Sequence, residues 1–112
     1  MKLLIVEDNL EMRRLIRQIV RKTGNTIFEC GDGKCALISY REHSPDWVLM
    51  DIEMPGMDGI AATREIIAAY PLARIAIVTD HDNPNLRDAA REAGAARYIV
   101  KENLLELRTL AA

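Results

Sequence analysis

The sequence has 112 residues with 17 acidic and 15 basic side chains, a formal charge of −2, and no run of like charge that would serve nucleic acid or a membrane surface. That length suits one hydrophobic core, so one domain over residues 1–112 is expected, with no direct binding of nucleic acid. The apolar runs are short and broken by charge, which argues against a membrane span or secretory signal and for a cytoplasmic location.

Lys2–Val6 is a compact apolar run that stops at Glu7 and Asp8, as a fully buried strand ending at a polar rim would. From Asn9 onward, Met12, Leu15, Ile16, Ile19 and Val20 fall at offsets 0, 3, 4, 7 and 8, the spacing of an amphipathic helix, with Gly24 as its stop. Thr26–Cys30 is β-prone, Gly31-Asp32-Gly33 punctuates it, and Lys34–His43 is helix-forming up to the Ser44-Pro45 break. Cys30 and Cys35 lack the neighbours of a zinc set and are too few for a disulfide scaffold, so two reduced thiols are expected.

Trp47–Met50 repeats the pattern of the first strand and ends on Asp51. Pro55-Gly56 and Asp58-Gly59 mark a loop before a helix over Ile60–Ala69, closed by Pro71. Ile75–Val78 ends on Thr79, Asp82-Asn83-Pro84 starts a helix that Gly94 ends, and Arg97–Val100 runs into Lys101. A short last helix is expected over Leu104–Leu110.

Five strands alternating with five helices predict an α/β fold, a doubly wound five-stranded parallel sheet with helices on both faces. In such sheets, polar residues at the carboxyl ends of strands converge on one crevice. Here those residues are Glu7 and Asp8, Asp51, Thr79 and Lys101. Neighbouring carboxylates repel unless a proton or cation compensates them, and magnesium prefers an incomplete all-oxygen site of this kind. A carboxylate nucleophile, a metal site, an ammonium and a hydroxyl together form an inventory for phosphoryl transfer.

Val6-Glu7-Asp8, Pro45 to Asp51 with Met54-Pro55-Gly56-Met57-Asp58-Gly59, Thr79, and Tyr98-Ile99-Val100-Lys101 together resemble the receiver domain of bacterial two-component response regulators. The resemblance runs from Lys2 to about Leu110, and the stretch from Asp51 to Gly59 is its most specific part. It implies the flavodoxin-like receiver fold and a role for each matching residue. Asp51 would accept a phosphoryl group from a phosphohistidine in a sensor histidine kinase or histidine phosphotransfer protein. Asp8 would bind Mg2+ directly, Glu7 through water, and Glu53 through its backbone carbonyl, with Asp51 completing the metal set. Lys101 would pair with the phosphoryl group and Thr79 would hydrogen-bond it. Thr79 and Tyr98 would then act as the switch that changes the surface of helix 4, strand 5 and helix 5 to control an output.

The same resemblance implies a signalling protein rather than a turnover enzyme, since it catalyses only its own phosphorylation and dephosphorylation. A homodimer through helix 4, strand 5 and helix 5, and a C-terminal output domain outside this chain, are partners it leaves open. Asp80 follows Thr79 where the family usually has a small residue, which predicts slower phosphorylation. Glu102 follows Lys101 where proline is frequent. The alternative is a degenerate receiver acting as a phosphorylation-independent docking module; the intact set of site residues argues against it. A small-substrate phosphohydrolase would need a cap that 112 residues do not supply, and a nucleotide or flavin module would need a phosphate loop where Glu7-Asp8-Asn9-Leu10 stands.

Overall fold

A computed structural model describes residues 1–22 and 24–110. Its strands are β1 (Lys2–Val6), β2 (Thr26–Cys30), β3 (Trp47–Met50), β4 (Ile75–Thr79) and β5 (Arg97–Val100). They are all parallel, in the order β2-β1-β3-β4-β5. Between them run α1 (Leu10–Val20), α2 (Gly33–His43), α3 (Gly59–Ala69) and α4 (Pro84–Ala93), and a 3-10 segment follows over Lys101–Thr109. The expected α/β architecture is therefore the observed one.

Alternation along the buried strands divides the interior into two layers. Leu4, Val6, Val48, Met50, Ile75 and Ile77 face one side, where α2, α3 and α4 bring Ala36, Ile60, Ile66, Ala90 and Ala93. Leu3, Ile5, Leu49, Val78 and Ile99 face the other, against Ile16 and Val20 of α1 and Leu104, Leu107 and Leu110 near the C terminus. Because β1 lies between β2 and β3, the connections leave it toward opposite faces and open a crevice at the carboxyl ends of β1 and β3.

Four helices start where a side chain satisfies the first free N–H groups: Asn9 accepts from Met12, Asp32 from Cys35, Asp58 from Ile60 and Ala61, and Asn83 from Asn85 and Leu86. These caps move the starts of α2 and α3 one residue earlier than the sequence pattern indicates, onto Gly33 and Gly59. Gly59 is there for space. A Cβ on it would lie 1.8 Å from the carbonyl oxygen of Asp51, so only glycine lets the first turn of α3 close against the end of β3.

Three expectations are corrected. Leu15 belongs to the apolar stripe of α1 by spacing but is 42% exposed, because the buried side of the helix is centred on Ile16 and Val20. The last element is a 3-10 segment from Lys101 with a kink at Asn103 (φ −119°, ψ 38°), not a regular α-helix over Leu104–Leu110. Leu104, Leu107 and Leu110 recur every three residues, and at 3.0 residues per turn that spacing puts all of them on the core side. Finally, Cys30 and Cys35 are joined as a disulfide rather than left as two free thiols. The Gly31-Asp32-Gly33 turn folds the end of β2 back on the first turn of α2 and brings the two Cα atoms to 5.8 Å, within the usual range for a bridge.

Candidate functional site

Register decides which strand ends meet. Val6 pairs with Met50, so Glu7 and Asp51, one residue beyond each, emerge side by side. Thr79 pairs with Val100, which sets Lys101 one step past Thr79 on the neighbouring strand. The result is that Glu7, Asp8, Asp51, Thr79 and Lys101 line one cavity of about 490 Å³, together with Glu53, Asp80 and His81.

Glu7, Asp8 and Asp51 each offer a carboxylate oxygen, and these atoms lie within 4.8 Å of one another. Glu7 is 1% and Asp51 6% exposed, while Asp8 is exposed at the rim. Lys101 Nζ lies 2.8 Å from Glu7 Oε1 and 3.5 Å from Asp51 Oδ1, so one ammonium faces two buried carboxylates. Asp51 is aimed by its own backbone: its N–H donates to Val6 O at 3.0 Å, and the Ile52 N–H donates to Asp51 Oδ1 at 2.9 Å.

One cation does not balance this set. Burial, followed by the hydrogen bond and negative charge of Glu7, pushes the Asp51 carboxyl up to about 7 from its ordinary 3.8, against the opposing pull of Lys101 and the Ile52 N–H. Burial also acts to raise Glu7, but its hydrogen bonds with Lys101, Asp51 and the Asn9 N–H prevail and hold it below the usual carboxylate value. For Lys101, burial favours the neutral amine, and the contacts with Glu7 and Asp51 outweigh it, so the ammonium is held more firmly than in water. The carboxyl left with a raised pKa is the one that would have to be ionised to act as a nucleophile. An additional cation among the acids would relieve it, and an all-oxygen donor set suits a hard divalent ion.

The other strand-end residues are grouped around His81. Thr79 is buried, and its Oγ1 accepts from the His81 N–H at 3.3 Å. The Tyr98 hydroxyl donates to the His81 carbonyl at 2.6 Å, and the Arg87 guanidinium lies over the Tyr98 ring at 4.6 Å. The His81 ring reaches across the mouth, Nε2 to Glu53 Oε1 at 2.6 Å. The Glu53 side chain is thus turned to His81 and is not in the acidic cluster. Asp80 is 74% exposed with Oδ2 at 4.0 Å from Lys101 Nζ, a carboxylate at the mouth as its position in sequence indicates.

Two supporting residues escape the sequence pattern. The Asn9 N–H donates to Glu7 Oε2 at 3.3 Å, and Arg13 Nη1 donates to Glu7 O at 3.0 Å while its Nε pairs with Glu29 Oε1 at 3.0 Å. Asn9 carries a signal, as a helix cap directly after the acid pair. Arg13 carries none, because its partners come from two strands.

The family model described as response regulator receiver domain matches residues 3–111. The chain belongs to the receiver domain family. It is 42% identical over 101 residues to the chemotaxis protein CheY of Bacillus subtilis, covering 89% of this chain and 84% of that protein. It is 40% identical to the transcriptional regulatory protein PdtaR of Mycobacterium tuberculosis over 89% of this chain, but spans only 49% of that protein. Among solved structures, a LuxR-family two-component response regulator from Aurantimonas sp. SI85-9A1 superposes with a TM-score of 0.90 at 36% identity, covering 98% of this chain and 81% of that one. The CheX-CheY-BeF3-Mg+2 complex from Borrelia burgdorferi gives a TM-score of 0.89 at 28% identity, covering 99% of this chain and 89% of that one. The receiver fold and the place in two-component signalling thus stand on both sequence and structure. Among the described residues, no helix is long and apolar enough to cross a membrane.

Proposed function

We propose that residues 1–112 act as one phosphoacceptor unit in which Asp51 takes a phosphoryl group from a phosphohistidine donor, a sensor histidine kinase or a phosphotransfer protein, with Mg2+ bound among Glu7, Asp8 and Asp51. The observation that carries this reading is the charge imbalance of the buried pair: Lys101 serves both Glu7 and Asp51, and the Asp51 carboxyl is left with its pKa raised to about 7. A receiver of this family in complex with BeF3 and Mg+2 superposes on the chain.

The chain's own residues then act as follows. An ionised Asp51 oxygen attacks the phosphorus, an acyl phosphate bond forms, and the P–N bond breaks with its electron pair passing to the imidazole nitrogen. Lys101 stands where an ammonium can pair with the transferred group, and Thr79 Oγ1 can donate to one of its oxygens once turned away from the His81 N–H. Asp8 and Asp51 would hold the metal with side-chain oxygens, Glu7 through water, and Glu53 with its backbone carbonyl, its side chain being engaged by His81. A bound magnesium ion supplies positive charge that favours ionised Asp51 and neutralises the phosphoryl oxygens.

Thr79 and Tyr98 hold the two backbone polar groups of one residue, the N–H and the C=O of His81, on the peptide units either side of it. Withdrawing the threonine hydroxyl to a phosphoryl group loosens one grip and frees Tyr98 to repack, which changes the α4, β5 and 3-10 surface offered to an output partner or a second copy. Dephosphorylation is hydrolysis at the same carboxyl.

The test is a titration of Mg2+ and then beryllofluoride or acetyl phosphate, followed by the fluorescence of the buried Trp47 and by intact mass. The native chain gains one phosphoryl mass increment and Asp51→Asn gains none. No increment in either protein, together with no response to metal, would overturn the phosphoacceptor reading in favour of a phosphorylation-independent docking module.

A further inference from the structure

The phosphoacceptor site makes no use of Cys30 and Cys35, which are brought together on the edge strand β2 and in the first turn of α2. Their chemical settings differ. Cys30 is 3% exposed among core residues, whereas Cys35 is only half-buried. Cys35 is the third residue of α2, at the open end of the helix, with its N–H held by the Asp32 side chain. The Ser39 hydroxyl, one turn further on, lies 3.0 Å from Cys30 Sγ and 3.5 Å from Cys35 Sγ and can donate to either sulfur. An accessible thiol at a helix start beside a buried second thiol is the arrangement of an attacking and a resolving cysteine.

We propose that Cys30 and Cys35 are a reversible thiol modification site that reacts with low-molecular-weight disulfides, Cys35 attacking first and Cys30 resolving the adduct. In the closing direction, the Cys35 thiolate attacks one sulfur of the small disulfide, forming a mixed disulfide and expelling one thiolate. Cys30 then gives up its proton to solvent and attacks Cys35 Sγ, expelling the second thiolate. The protein loses two electrons and two protons, and the small disulfide becomes two thiols. Reduction by excess small thiol reverses both steps.

Closure reaches beyond the two sulfurs. The Cys30 carbonyl accepts the Glu7 N–H at 3.0 Å, the last rung between β1 and β2, and Glu7 belongs to the acidic cluster. At the other end of the turn, Gly33 packs so tightly on the loop after Asp51 that a Cβ there would lie 2.7 Å from Met57 O. A bridge between residues 30 and 35 fixes this turn in the oxidised chain and leaves the rung at the sheet edge freer to open in the reduced one.

The experiment uses the full chain, first reduced with dithiothreitol and then exposed to oxidised glutathione, with intact mass, peptide mapping and urea unfolding as readouts. Early samples carry glutathione on Cys35, and the end product is a monomer lighter by two hydrogens with no adduct. Cys30→Ser stops at the glutathione adduct on Cys35, and Cys35→Ser reacts far more slowly. The oxidised chain has a folding constant larger by roughly thirtyfold, as closing so short a loop in the unfolded chain predicts. Its Glu7 amide also exchanges more slowly than in the reduced chain. Should either variant fail to fold, mapping of the first adduct on the native chain decides the order of attack. First labelling on Cys30, a chain left unmodified, disulfide-linked dimers as the end product, or equal stability and Glu7 exchange in the two forms would each overturn the proposal.

Discussion

The two halves of the crevice are held by different means. On the β1 and β3 side, Glu7 and Asp51 are fixed through backbone contacts: Glu7 N–H to Cys30 O, Asp51 N–H to Val6 O, Gly59 N–H to Ile52 O, and the glycine surface of α3 against the Asp51 carbonyl. On the β4 and β5 side, His81 is held through side-chain contacts, by Thr79 and Tyr98 of these strands and by Glu53 reaching over from the loop after β3, two of them solvent-exposed. Backbone contacts made by strand and helix ends change only if the sheet end itself moves, whereas side-chain hydrogen bonds to a loop exchange at little cost. The acidic half is therefore built to stay in place while its charge state changes, and the other half is built to rearrange.

Gly59→Ala attacks the rigid half most directly. With no room for a Cβ beside Asp51 O, the end of β3 or the start of α3 must shift, and a loss of about 3 kcal/mol or more is expected in urea unfolding, with weakened response to Mg2+. Lys101→Met removes the ammonium that faces both Glu7 and Asp51 and should destabilise the metal-free chain by about 3 kcal/mol at neutral pH, part of it recovered on adding Mg2+.

Asp51→Asn acts in the opposite direction. With its folded pKa raised, Asp51 keeps its proton in the folded chain while the unfolded chain ionises, so metal-free stability falls as pH rises between about 4 and 7. The asparagine variant should be more stable than the native chain by roughly 1–2 kcal/mol at pH 8, after discounting for solvent screening and the charge shared with Glu7. The gain should vanish near pH 4, as paired unfolding curves would show. Glu7, held below its ordinary value, contributes stability of the opposite sense, lost as pH falls through the acidic range. Tyr98→Phe deletes one grip on the adaptable half and should cost about 1 kcal/mol or less, while changing the size of the Trp47 response to beryllofluoride. A loss as large as that of Gly59→Ala would erase the distinction between the halves.

The rigid half was also the more legible one in sequence. Short apolar runs ending on Glu7 and Asp51 announce buried parallel strands and their polar ends, but right-handed crossovers alone do not fix the β2-β1-β3-β4-β5 order. What stayed hidden depends on distance between separate segments. The His81 contacts join residues from three loops and strand ends, and Arg13 draws together β1 and β2. Leu15 shows that helical spacing identifies a stripe without saying where its centre lies. The Cys30–Cys35 bridge depends on a turn folding a strand end onto a helix start, a geometry that counting cysteines does not address.

The 3-10 segment bears on how little chain is needed to close this molecule. Such a helix advances about 2.0 Å per residue against about 1.5 Å for an α-helix, so the same number of residues reaches about a third farther. The stretch Lys101–Thr109 with its C-cap Leu110 thus spreads three leucine anchors across the flank of the sheet beside α1, covering with a thin rod what would otherwise ask for a longer cylinder. Exposed Leu105 stands on the outside of that rod, so lengthening or thickening this segment would alter the outline of the surface beside α1 before it touched the acidic site.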